Sequence, residues 1–242
     1  MSSQKHLAPQ EQAAHPDIRK LALEIFNPLK SNFEMQLIQF FRQKPIRDRF
    51  LKGCKVIYNN LPKRKPLEDW ETAIDQIKNF LKQFKDIPPN NSTNNEFITS
   101  LKDSPSLQKL LEVSDSTLGR VFVCGQQLYD HRLFKDAADV FFIVAFFNIK
   151  RSAPWIALGL SEQKLNRFSE ALNAFALGAV TDSLSAEPII YSAECYLEQG
   201  EEEDAAKSLT LAEEVIHKNP KINSELEGKV KQLRSKLKKN HL

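Results

Sequence analysis

The chain has 242 residues, of which 41% are hydrophobic and 27% charged, and its formal net charge is +3 at neutral pH. This allows one large or two small globular domains. Seven glycines against 16 phenylalanines make an all-β protein a poor fit, and the longest apolar run, residues 140–147, is less than half of a membrane span. We therefore expect an all-α cytoplasmic protein that does not insert into membranes.

The residue types that carry catalysis or bind metals form no recognisable pattern. The three cysteines, Cys54, Cys124 and Cys195, are widely spaced, which suits a reducing compartment. The five histidines are scattered, and the common nucleotide-binding, zinc-protease and serine-hydrolase motifs do not occur. We expect a protein that is not an enzyme and that uses no metal or cofactor.

Residues 1–85 are predicted to form a small helical N-terminal extension. Apolar residues recur at helical spacing over 18–41, and again around 47–59 and 67–84. The segment 86–95 is rich in Asn and Pro and also contains Asp and Ser, residues that break helices and favour turns. We predict a linker there.

The N-terminal extension also contains a basic stretch, residues 42–65, which carries nine Lys or Arg and a single acidic residue, Asp48. Its lysines alternate with apolar residues at helical spacing, so a solvated helix face is one interpretation. Electrostatic binding of nucleic acid or of an anionic surface is the alternative.

A 34-residue period dominates the remainder, residues 96–242. Pro154 and Pro188 are 34 residues apart, as are Gly125 and Gly159. Two helices in each 34-residue unit are the signature of tetratricopeptide repeats, which bury one another by stacking. The same spacing links further columns: Ala137, Ala171 and Ala205; Phe141, Phe175 and Leu209.

This period predicts a solenoid of three helical hairpins, near 118–151, 152–185 and 186–219. A capping helix is predicted at 221–239, because its apolar residues form one stripe on a Lys-rich helix. The stripe consists of Leu226, Val230, Leu233 and Leu237. We expect residues 96–242 to fold as a helical domain without the N-terminal extension.

The Phe-rich segment 140–147 is apolar around nearly the whole circumference of its helix, whereas a surface helix would show only a stripe. Packing between repeats uses Phe141 and Val144. The N-terminal extension, a second protomer or a partner must cover the rest. The candidates for this dimer or domain contact are Phe142, Ile143, Phe146 and Phe147.

Four stretches go beyond a generic repeat: STLGRVFVCGQQLY at 116–129, WIALG at 155–159, FALGAVTD at 175–182 and YSAECYLEQG at 191–200. Through them the chain resembles the class II, or translocator, chaperones of bacterial type III secretion, the SycD/LcrH-type family. These are small cytoplasmic proteins that hold hydrophobic translocators soluble before secretion. The resemblance implies the same role here, with a hydrophobic secreted translocator or effector as partner and a homodimer when no client is bound.

In a tetratricopeptide array the first helix of each repeat lines a concave face, which commonly binds other proteins. A mixed apolar and amide face suits an extended client segment, and the resemblance implies a short Pro- and Leu-containing segment. The predicted client-binding residues are Phe122, Gln126, Tyr129, Ile156, Leu160, Gln163, Ile190, Glu194 and Leu197. Each of these residues could instead have a structural role in packing the repeats, Ile156 and Ile190 above all.

The sequence is also compatible with a second function. The same array could serve as a scaffold or regulatory adaptor that joins folded proteins, with nucleic acid bound by the basic N-terminal half. Residues 1–95 depart from the family pattern, in which only a short leader precedes the repeats.

Overall fold

The computed structural model describes residues 44–61, 68–83 and 106–239, and every regular element in those ranges is a helix. The predicted linker and the helical run predicted at 18–41 lie outside the described residues. None of the described helices is both long enough and apolar enough to cross a bilayer. In chain order they are α1 (Lys44–Asn60), α2 (Glu68–Gln83), α3 (Leu107–Leu110), α4 (Asp115–Asp130), α5 (Phe134–Phe147), α6 (Ser152–Lys164), α7 (Phe168–Thr181), α8 (Glu187–Gln199), α9 (Glu202–Lys218), α10 (Pro220–Asn223) and α11 (Glu227–Lys239).

Helices α4 to α9 form three consecutive hairpins, α4 with α5, α6 with α7 and α8 with α9. Each helix packs against the next one along the chain, and α11 closes the array against α9. This is a helical solenoid, so the all-α repeat fold predicted from the 34-residue period is confirmed.

The turn inside each hairpin has the same backbone geometry. Arg132, Asn166 and Gly200 follow the first helices at a spacing of 34 residues, and their φ angles are +62°, +58° and +77°. In the first hairpin the Arg132 N–H donates to the Tyr129 carbonyl and the Leu133 N–H donates to the Leu128 carbonyl, both at 2.9 Å. These bonds satisfy the last carbonyls of the helix, as a left-handed C-terminal cap does.

Close approach of the two helices in a hairpin depends on glycine. A β-carbon on Gly125 would lie 2.6 Å from a ring carbon of Phe141, and one on Gly159 would lie 2.4 Å from a ring carbon of Phe175. The glycine and phenylalanine columns of the sequence therefore face each other inside the first two hairpins.

The C-terminal cap buries Val230, Leu233 and Leu237 of α11 against the third hairpin. Short helix α10 is fixed by the buried Asn223. Its amide oxygen accepts the Ala186 N–H and its amide nitrogen donates to the Leu184 carbonyl, each at 2.9 Å. The cap is thus joined to the segment that precedes α8, and both polar atoms of the Asn223 side chain are hydrogen-bonded.

Helices α1 and α2 cover the Phe-rich segment of α5. The Phe50 ring lies 5.7 Å from the Phe146 ring, and the Trp70 ring lies 5.0 Å from the Phe147 ring, measured between centroids. Phe142, Ile143, Phe146 and Phe147 are all buried, and they belong to one hydrophobic cluster with Phe50, Ile57 and Trp70. The sequence left three possible covers for this face: the N-terminal extension, a second protomer or a partner. In the structure the N-terminal extension covers it.

Candidate protein-binding groove

The first helices of the hairpins form one layer. Helix α4 contacts α6, and α6 contacts α8. Stacked helical repeats of this kind form an extended concave binding surface. The sequence placed the client-binding residues on this layer of first helices.

The first hairpin presents two half-buried aromatic residues. The Phe122 ring rests on Phe141 with centroids 5.3 Å apart, and the Tyr129 ring meets Phe134 edge-on at 5.1 Å. Gln126, between them on α4, is exposed. Each aromatic ring is held by a residue of α5 and still has part of its surface open, as a preorganised anchor for a ligand requires.

The second hairpin offers less open surface than the sequence predicted. Leu160 is half-buried, but Ile156 packs into a cluster with Ala171 and Phe175. Gln163 is only 7% exposed, and its amide nitrogen donates to the Glu198 carboxylate at 3.0 Å. Ile156 and the amide nitrogen of Gln163 are therefore engaged within the protein.

The third hairpin requires a correction. Ile190 is 1% exposed and packs with Ala193 and Leu209 in the cluster that the C-terminal cap completes. Ile190 is thus a core residue, because the cap buries a side that sequence spacing alone assigns to the inner face. Leu197 is half-buried, and Glu194 is half-buried and pairs with Lys229 of α11 at 3.2 Å.

Two further residues lie next to this face, and neither was predicted from the sequence to belong to it. The Tyr191 ring stacks on Phe175 with centroids 5.4 Å apart, and Lys229 Nζ lies 4.0 Å from the centre of the Tyr191 ring. Tyr191 was recognisable from the sequence, because it is the one aromatic residue in a 34-residue column that otherwise holds Val123 and Ala157. Lys229 was not recognisable from the sequence, because only the packing of α11 brings it next to this face. We define the groove as Phe122, Gln126, Tyr129, Leu160, Tyr191, Glu194, Leu197 and Lys229.

The two tyrosine hydroxyls of this region favour the neutral form. Burial, together with the nearby Asp130, raises the pKa of Tyr129, and burial followed by the charges of Glu187 and Glu194 raises the pKa of Tyr191 to about 12. Both phenols therefore keep their proton at neutral pH and can donate hydrogen bonds; Tyr191 donates to Glu187 at 3.2 Å.

The buried cysteines behave as small apolar residues. Burial raises the pKa of the Cys124 thiol, and burial with the charges of Glu198 and Glu194 raises that of Cys195 to about 12. A thiol with a raised pKa holds little of the reactive thiolate, so neither group is suited to nucleophilic chemistry.

The basic stretch 42–65 is partly neutralised by the repeats. Arg49 pairs with Asp139 and Glu162, and Lys52 pairs with Asp139. Two of its cations thus serve intramolecular packing, which favours a structural interpretation of this stretch over nucleic-acid binding.

Comparisons with known proteins point to one family. No protein-family model matches the chain. Over 122 residues it is 27% identical to the low calcium response locus protein H of Yersinia pseudotuberculosis. The matched region spans 50% of this chain and 73% of that protein. A Yersinia pestis protein of the same name is 28% identical over 116 residues, 48% of this chain and 69% of that protein.

Among solved structures, the Yersinia enterocolitica type III secretion translocator chaperone SycD matches with a TM-score of 0.51 and 27% identity. The match covers 56% of this chain and 98% of SycD. With nearly all of SycD matched, and with the same helical repeat array, the chain is similar to the SycD/LcrH-type chaperones of type III secretion.

Proposed function

We propose that this protein is a type III secretion chaperone that binds an extended apolar segment of a translocator or effector in the groove and keeps that client soluble before secretion. The observation that carries the proposal is the row of half-buried apolar residues along the first helices, on a chain related to the translocator chaperone SycD. A cytoplasmic location in a bacterium follows from the same role, because the client must be held before it is secreted.

The groove supplies both kinds of contact that an extended peptide needs. Phe122, Tyr129 and Leu160 offer apolar surface for alternate side chains, while the exposed Gln126 can donate to and accept from a peptide backbone. Glu194 and Lys229 form a paired charge at the other end. This combination suits an extended peptide, so we propose a binding role for the groove.

A homodimer in the absence of client remains part of the proposal, as the family resemblance implies. Its interface would have to lie outside Phe142, Ile143, Phe146 and Phe147, because α1 and α2 bury these residues within one chain.

The test replaces Phe122 and Tyr129 together by alanine and measures how much client copurifies from the native cell, identified by mass spectrometry. Truncating a buried aromatic anchor costs about 2 kcal/mol or more of binding free energy. Two such losses should weaken binding at least about a hundredfold. Circular dichroism should still show a helical protein, although both rings also contact α5.

The matched control is the double variant Val180→Ala and Leu211→Ala, which shortens two apolar residues that are 61% and 50% exposed on second helices. It should retain its client. If the groove variant binds normally while the double variant Lys63→Ala and Arg64→Ala in the basic stretch abolishes binding, the proposed mechanism is wrong and the N-terminal half is the functional surface.

A further inference from the structure

Arg49 of α1 joins two different repeats. Its Nε atom lies 3.2 Å from Oδ1 of Asp139, in the second helix of the first hairpin. Its Nη2 atom pairs with Oε1 of Glu162, in the first helix of the second hairpin. The guanidinium also lies 4.9 Å from the centre of the Phe142 ring. One side chain thus holds α1, the first repeat and the second repeat together.

Both acidic partners are largely removed from water. Glu162 is 1% exposed, and its second oxygen, Oε2, is 3.3 Å from Nη1 of Arg167. Asp139 is also buried, and its Oδ2 atom lies 2.8 Å from Nζ of Lys52. A buried carboxylate is costly unless a cation is paired with it, so the positions of these acids and of Arg49 depend on each other. Arg49 and Glu162 are joined by a hydrogen bond, whereas Arg49 Nε and Asp139 Oδ2 meet their partners as ion pairs without hydrogen-bond geometry.

Helix α1 reaches this position because Gly53 allows its backbone to touch α5. A β-carbon at Gly53 would lie 2.6 Å from the carbonyl oxygen of Asp139 and 2.6 Å from Cδ1 of Ile143. The contact of α1 with α5 is therefore close at the very residue whose side chain pairs with Arg49. This leaves little freedom for α1 to slide along the repeats.

Glu162 lies on α6 next to the groove elements. Leu160 of the groove precedes it by two residues, and the following residue, Gln163, donates to Glu198 of the third hairpin. A change in the position of Glu162 therefore moves α6, the helix that lies between the groove residues of the first hairpin and those of the third.

We propose that Arg49 is a positioning residue for the groove. By pairing with Asp139 and Glu162 it fixes the angle between the first and second repeats, so helix α1 sets the shape of a groove to which it contributes no residue. The consequence for client binding rests on the proposed function, whereas the angle itself is a property of the chain alone.

The test measures distances between the repeats in the full chain without client. Spin labels on Gln127→Cys and Lys164→Cys report on the first and second repeats, and labels on Gln199→Cys and Glu214→Cys report on the third repeat alone. All four positions are exposed, while the native cysteines are buried. Double electron–electron resonance gives each distance distribution.

The decisive variant is Arg49→Met combined with Glu162→Gln, which removes the clamp without leaving an unpaired buried carboxylate. We expect its distribution between the first and second repeats to shift or broaden beyond that of the wild type, while the distribution in the third repeat stays unchanged. Arg167→Met is the matched control, because Arg167 pairs with the same carboxylate from within the second repeat. It should leave both distributions unchanged.

The proposal is overturned if the double variant keeps the wild-type distribution between the first two repeats. It is equally overturned if Arg167→Met alters that distribution as much as the double variant does, since any loss of a Glu162 partner would then suffice. Because no client takes part, these outcomes are independent of whether the groove binds a translocator segment.

Discussion

At the scale of single residues, the pairing of glycine with phenylalanine explains two of the repeat columns. Gly125 faces Phe141 and Gly159 faces Phe175, in each case too closely for a β-carbon. In the third hairpin the same two columns hold Ala193 and Leu209, and both are fully buried. Where alanine replaces the smaller glycine on one helix, leucine replaces the larger phenylalanine on the other, so the total side-chain volume at the contact is kept.

This relation makes Gly125→Ala a destabilising change in spite of the higher helix propensity of alanine. The new methyl group would meet the ring of Phe141, which is 2% exposed and cannot move aside. Overpacking of this kind lowers the free energy of unfolding by about 1–3 kcal/mol. Urea denaturation followed by circular dichroism measures the loss.

Gly119→Ala in the same helix is the matched control, because a β-carbon there meets no atom within 4 Å. It should raise the free energy of unfolding by about 0.5–1 kcal/mol. Adding Phe141→Leu to Gly125→Ala reproduces the third hairpin and should recover part of the loss. A stabilising effect of Gly125→Ala alone would show that the helices separate at no cost.

At the scale of helices, Asp69 connects α2 to the first repeat. Its carboxylate accepts the Ser114 N–H at 2.9 Å and the Thr117 hydroxyl at 2.8 Å, while Ser114 itself caps α4 by accepting the Thr117 N–H at 3.1 Å. Burial opposes ionisation of Asp69, but these hydrogen bonds outweigh burial and lower its pKa below the ordinary 3.8. Negative charge at the start of α4 also suits the helix dipole.

We therefore expect Asp69→Asn to lower the free energy of unfolding by about 1 kcal/mol at neutral pH, the usual size of a capping interaction. Since the pKa is lowered on folding, the stabilisation is complete above 3.8 and disappears as the pH falls through the lower value of the folded protein. The difference between wild type and variant should be constant from about pH 5 to pH 8 and shrink in stronger acid. Thermal unfolding across this range measures it.

The control for this prediction is Glu68→Gln, an exposed acidic residue in the same first turn of α2. It should change the free energy of unfolding little, and that small change should not follow the pH dependence expected for Asp69→Asn. A pH-independent difference for Asp69→Asn would mean that the carboxylate contributes by shape and not by charge.

The elements themselves were largely predictable. The helices predicted around 47–59 and 67–84 correspond to α1 and α2, and the 34-residue columns placed all three hairpins, because helical periodicity and repeat spacing are local signals. The burial of Ile190 was not predictable, since it depends on how α10 and α11 close the array. The contacts of Arg49 were not predictable either, because Asp139 and Glu162 are 90 and 113 residues away and ion pairs have no sequence period.

At the scale of the whole molecule, the N-terminal helices and the first repeat form one hydrophobic core. Phe50, Ile57 and Trp70 share a cluster with the Phe-rich segment of α5, and the Phe50 and Trp70 rings contact Phe146 and Phe147 directly. Full burial of one large apolar side chain is worth about 1.5–3 kcal/mol. The rings that α1 and α2 cover therefore contribute several kcal/mol of burial, part of which offsets the entropy cost of ordering these two helices.

This core changes what we expect of residues 96–242 expressed alone, which the repeat period by itself predicted to fold independently. Without α1 and α2 the chain should stay helical, but Phe142, Phe146 and Phe147 would face solvent and Glu162 would lose Arg49. We expect a lower melting temperature, binding of a hydrophobic dye and concentration-dependent association, measured by scanning fluorimetry and sedimentation velocity.

Supplying residues 1–95 as a separate chain distinguishes lost coverage from a general failure to fold. If α1 and α2 act as the cover of α5, the two fragments should copurify in a 1:1 complex, and dye binding should fall because Phe50 and Trp70 again pack on the Phe-rich segment. The same fragment carrying Gly53→Ala should bind much more weakly, since its new methyl group would lie 2.6 Å from the Asp139 carbonyl oxygen. A monodisperse 96–242 fragment that melts like the full chain and ignores residues 1–95 would show that the repeats bury the Phe-rich segment without help.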